Sequence, residues 1–291
     1  MIWDLFSIVA PVFACAGIGY SWSRFGLAYD TKIITQLVSY IGAPCLIFTT
    51  LINVEGLSKE IGYMALAALT TISACTILGA AILRIMRLPL RTYLAPIVFP
   101  NSGNMGLPLC LFAFGDTGLA LGIGFFAVSA TIQLIFGQWL FSGLPTPIPL
   151  LKAPIPYAVI AGAALMFTEV DPPLFILNTT DLLGNFTIPL MMLTLGVSLA
   201  RMRITKIKRT FILALLRLSL GGLVGFGLAE VFQFEGIERS VLIIQSMMPV
   251  AVFNYLFAKY YERDPEEVAS LVVLSSVIGF ALLPLIVFIA K

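Results

Sequence analysis

The sequence predicts an all-α polytopic membrane protein of ten transmembrane helices, built as two inverted five-helix repeats in which helices four and nine are broken. Three observations predict it. Of 291 residues, 59% are hydrophobic and only 11% charged, against about a quarter charged in a soluble domain. The basic residues gather on one side of the apolar runs. Prolines and interruptions recur at a spacing of 145 residues, close to half the chain.

The ten runs are bounded by charge or by Pro and Gly clusters, at about 2–22, 33–52, 61–85, 93–112, 117–141, 154–168, 182–200, 210–232, 241–261 and 267–290. A crossing helix takes about 20 apolar residues, so most runs suffice and 154–168 is short. The first run carries Asp4 and no preceding basic residue, the reverse of a secretory leader, and reads as a retained span. One side of the topology holds Arg24, Lys32, Arg84, Arg87, Arg91, Lys152, Arg201, Arg203, Lys206, Lys208, Arg209, Lys259 and Arg263, and the other only Lys59, Arg239 and Lys291. Cytoplasmic loops retain basic residues, so both termini are expected outside. Arg217 lies within the eighth run, about 12 Å along the helix from the basic 201–209 loop. It is expected to snorkel to that interface, with a role in anion passage as the alternative.

The halves 1–145 and 146–291 align by prolines: Pro11 with Pro156, Pro44 with Pro189, and Ala16-Gly17 with Ala161-Gly162. Five spans per half is an odd number, which forces the second half to enter the membrane from the opposite face. In the fourth run, 99-FPNSGNMGLPLC-110 places prolines, glycines, asparagines and a serine at mid-membrane depth, and 245-QSMMPVAVFN-254 does the same in the ninth. Freed backbone groups are tolerated there only where they are buried in protein or line a cavity. Paired breaks mark a transporter's site, and a restarted half-helix offers N–H groups and about half a positive charge. Such a site wants an anion, with Asn101, Ser102 and Asn104 as neutral donors and Gln245 nearby. Pro44 and Pro189 either line the pocket or merely kink their helices. Gln133 and Gln138 read as interhelical bonds or as polar groups of the pocket, and Gly118/Gly122 and Gly221/Gly225 as close helix packing.

Other chemistry is excluded by composition. The chain has no histidine, which removes the commonest metal ligand and acid–base group, and no cofactor is expected. Cys15, Cys45, Cys75 and Cys110 each stand alone in apolar runs and read as small hydrophobes. A net charge of +2 without a basic patch fits no nucleic-acid partner. An integral membrane enzyme would need convergent acid, base or metal-binding residues, which the spans lack.

Four stretches, 36-QLVSYIGAPCLIF-48, 100-PNSGNMGLPL-109, 186-FTIPLMMLTLG-196 and 245-QSMMPVAVFNYLFAKYYERDP-265, give the whole chain a resemblance to the auxin efflux carrier family. That resemblance implies a ten-helix inverted-repeat fold shared with bile-acid sodium symporters, in which helices four and nine cross and hold the substrate carboxylate. It also implies a homodimer, an elevator-like motion and placement in a bacterial-type inner (plasma) membrane. By carry-over Asn101, directly after Pro100, matches the carboxylate-facing asparagine and Pro249 the ninth-helix break. Asn254 stands where the plant exporters tend to have a second proline, and the 142–155 connection is short, so the substrate need not be auxin. The expected function is secondary transport of small organic anions, carboxylates driven outward by the membrane potential. The alternative is a sodium- or proton-coupled symporter importing a mono- or dicarboxylate such as malonate or malate.

Overall fold

Backbone groups with no water to bond must bond one another, and an apolar chain meets that demand by forming helices. The computed structural model describes residues 2–54, 56–143, 151–168 and 172–290, and among these every named element is helical. We label them α1 Ile2–Arg24, α2 Thr31–Asn53, α3 Ser58–Ile85, α4 Leu90–Val98, α5 Ser102–Ser142, α6 Pro154–Thr168, α7 Leu174–Arg201, α8 Ile207–Val231, α9 Gly236–Ser246, α10 Val252–Tyr260 and α11 Pro265–Ala290. Among the described residues seven helices, α1, α2, α3, α5, α7, α8 and α11, are long and apolar enough to cross a membrane. The protein is therefore an integral membrane protein.

The seven differ from the ten expected runs for local reasons. The run 154–168 is α6, only 15 residues long. The ninth run is two short helices, α9 and α10, with Met247–Ala251 between them. The fourth run stops at Val98 and restarts at Ser102, where it continues into the fifth as one 41-residue element. Gly115 bends that element at φ 63°, ψ −151°, a conformation essentially confined to glycine.

Proline shapes α2 more gently. Asp30 caps the helix by accepting from the backbone N–H groups of Lys32 and Ile33 at 2.9 and 3.1 Å. Pro44 has no N–H to offer the carbonyl four residues back, and the turn before it, Val38–Gly42, widens to a π-turn in which the Ala43 N–H bonds Val38.

In the packed bundle α1 lies along α7, α3 along α5 and α8 along α11, while α9 sits between α5 and α8. The Gly221/Gly225 pair meets α9 and the Gly118/Gly122 pair meets the start of α5, as close packing requires. The basic loop is pinned at one end of the bundle. Glu267, at the start of α11, accepts from Lys206, Arg209 and the Tyr93 hydroxyl of α4, and the Ser270 hydroxyl accepts from the Thr205 N–H at 2.6 Å.

Candidate functional site

The two breaks meet. Pro249 drives Met248 away from helical conformation, and neither Pro100 nor Pro249 has an N–H to continue a helical ladder. Extended residues result, with Phe99 at φ −91°, ψ 113° and Ala251 at φ −62°, ψ 134°. The two short stretches pair with each other. The Asn101 N–H donates to the Pro249 carbonyl at 2.7 Å, and the Ala251 N–H donates to the Phe99 carbonyl at 3.1 Å. Between these bonds the Val250 N–H points away to Ser275 Oγ on α11, 3.1 Å distant.

Beyond the crossing each chain restarts a helix, and the first-turn N–H groups, Ser102 to Asn104 on α5 and Val252 to Phe253 on α10, have no intrahelical carbonyl to bond. Both starts border one cavity of about 380 Å³. Its walls come from the π-turn of α2, from Phe126 to Gln138 along α5, from Met191 and Thr194 of α7, from the 152–155 segment, and from Ala251, Val252, Phe253 and Phe257. Only Lys152 among the described lining residues carries a charge, and it is exposed. The surface is otherwise apolar side chains interspersed with amide and hydroxyl donors.

Of the residues singled out from sequence, Pro100, Asn101, Ser102 and Asn104 line this cavity. Asn101 is 4% exposed and its amide Nδ2 has no hydrogen-bond partner. A buried donor left unpaired costs about 1–3 kcal/mol. Asn254 does not line the cavity; it is fully buried in the first turn of α10, where its Oδ1 accepts from Gln133 Nε2 at 3.3 Å and its Nδ2 is also unpartnered. Pro249 does not line the cavity but forms the crossing itself. Pro44 and Pro189 do not line it either, although the π-turn before Pro44 contributes Val38, Ser39 and Tyr40. Gln245 lies apart, its amide packed against Gly106 and Gly122 and donating to Cys110 Sγ at 3.7 Å.

Sequence reasoning left Gln133 and Gln138 between two readings, both of which the structure shows, and missed Thr194. Gln133 and Gln138 both face the cavity, and each also bonds a residue beyond the second break, Asn254 and Tyr261 respectively. Thr194 faces it while bonded to the Tyr29 hydroxyl at 2.7 Å. A signal existed for the glutamines, two amides spaced five residues apart on an apolar helix. Arg217 requires a correction. It does not snorkel, being 1% exposed, and its guanidinium points into the bundle behind the crossing.

A family model described as membrane transport protein matches the chain over residues 4–146 and again over 141–289. Among curated proteins, an uncharacterized transporter of Methanocaldococcus jannaschii is 25% identical over 298 residues, covering 96% of each chain. An uncharacterized transporter of Methanothermobacter thermautotrophicus is 26% identical over 294 residues, covering 95% of each.

Proposed function

The chain belongs to the membrane transport protein family, that of the auxin efflux carriers, and from that premise we propose that it is a secondary transporter of small organic anions working by potential-driven efflux. Family and relatives alike point to transport rather than catalysis. The observation that carries the anion reading is the unpartnered Asn101 amide beside two helix starts in a cavity lined by no carboxylate among its described residues. Helix N-termini and neutral amides hold a carboxylate without a counter-cation, and apolar neighbours such as Phe126 and Phe253 suit the organic remainder.

The wider architecture follows the same reading. The halves 1–145 and 146–291 are inverted repeats of five spans each, both termini lie outside a bacterial-type inner membrane, and the chain works as a homodimer with an elevator motion. The family match, divided into two stretches that meet near residue 145, supports the repeat. Exit of a monoanion from a cell 100 mV negative inside releases about 2.3 kcal/mol, roughly 50-fold in concentration. Proteoliposomes carrying an imposed potassium-diffusion potential test the proposal. Carboxylate efflux should follow voltage, whereas flux that ignores voltage and tracks a sodium or pH gradient supports coupled import instead.

A further inference from the structure

Two helix ends converge on one buried cation. Arg217, on α8, is the largest of the fully buried side chains. Its Nη1 donates to the Ile97 carbonyl at 3.1 Å and its Nη2 to the Ser246 carbonyl at 2.8 Å. Ile97 is in the last turn of α4 and Ser246 is the last residue of α9, so both carbonyls are among those a helix leaves without an internal donor. Gly221, one turn beyond Arg217, allows the approach, since a Cβ there would stand 2.1 Å from the Ser246 oxygen.

The charges balance. Each helix C-terminus carries about −0.5 of an elementary charge, so two together present about −1, which one guanidinium offsets. Among the described residues Arg217 forms no ion pair with a carboxylate, and its polar neighbours are the two helix-end carbonyls and Cys75. In transporters with broken helices, converging C-terminal ends and unwound carbonyls are where a coupling sodium ion or proton is held. Here a side chain of the protein holds that position.

We propose that Arg217 is a tethered replacement for a cotransported cation. It balances the negative ends of α4 and α9 from within, so the positive ends at α5 and α10 hold one anionic group and no inorganic cation travels with it. This deepens the transporter reading and rests on it for what crosses the membrane, but not for what the carbonyl pair holds.

The test compares purified wild type, Arg217→Ala and Arg217→Lys in choline, sodium and about 10 mM guanidinium chloride at matched ionic strength. Thermal stability is one readout, because a ligand of the folded state raises it. Binding of benzoate and malonate as probe anions is the other. Wild type should bind equally in sodium and choline. Arg217→Ala should lose about tenfold or more of that binding in choline, and guanidinium or sodium should restore it while raising thermal stability in this variant alone. Arg217→Lys should stay independent of added cation, and it keeps the proposal testable if the alanine variant does not fold. Sodium-dependent binding by wild type would overturn the proposal, as would an alanine variant that binds normally in choline or that no cation rescues. If wild type binds neither anion while cations selectively stabilise Arg217→Ala, the cation replacement stands and the carboxylate reading fails.

Discussion

Pro100 and Val250, 150 positions apart in the chain, face each other as a single antiparallel bridge. The two hydrogen bonds flanking it, Asn101 to Pro249 and Ala251 to Phe99, exchange with each other under a local two-fold. At the crossing, Pro249 is therefore the counterpart of Phe99, and Ala251 that of Asn101. One break presents an amide side chain to the cavity where the other presents a methyl group, so the pocket is chemically one-sided although its backbone is not.

Replacing Asn101 by Ala should weaken anion binding by about tenfold to a hundredfold while leaving the protein folded, because a buried donor is removed that water does not easily replace. Ligand-induced thermal shifts with a series of mono- and dicarboxylates measure it. Unchanged affinity would take Asn101 out of the site.

Ser275→Ala should destabilise the protein by about 1–3 kcal/mol, since the Val250 N–H would be left buried without an acceptor. Thermal unfolding in detergent reads the loss, and hydrogen exchange at Val250 should quicken relative to α9. A variant as stable as wild type would show that the bridge holds without α11.

Gly115→Ala forces a side chain onto φ 63°, ψ −151°, at a cost on the order of 1–3 kcal/mol. The expected result is a lower unfolding midpoint with anion affinity unchanged, because the bend is remote from Asn101 in the chain and open on its Cβ side.

Lys152→Gln should reduce anion association mainly at low salt. Attraction by an exposed charge reaches about 8 Å at physiological ionic strength and further as salt falls. Equal association rates for variant and wild type at about 10 mM salt would exclude Lys152 from steering.

Topology has a direct check. A reporter active only in the cytoplasm should be silent when fused after Lys291 and active when inserted at Thr205, as the excess of basic residues on one side predicts. The opposite pattern would reverse the orientation.

Much of the helical layout was legible because its causes are local. Runs of apolar residues, the proline-glycine cluster at 100–108 and Pro249 each act within a turn or two of chain, and the breaks fall where those residues stand. The destination of Arg217 was not legible. It depends on where α4 and α9 end in space, and a distance measured along α8 says nothing about carbonyls arriving from 29 and 120 positions away. The shift from a spacing of 145 to one of 150 at the crossing has a similar cause, since connecting segments absorb extra residues without moving a packed core. Gln133 and Gln138 needed the rotation of α5 about its axis, which an almost uniformly apolar helix does not encode.

The joint between the two breaks is made of main chain alone, and that separates two kinds of inheritance. Peptide groups are common to every sequence, so the two bonds of the join do not depend on which side chains flank it, provided Phe99 and Ala251 stay extended. Phe126, Phe253 and Phe257, which line the cavity, take no part in those two bonds. The shape and polarity of the cavity can thus vary with its lining while the crossing beneath it, which no side chain makes, keeps the same two bonds.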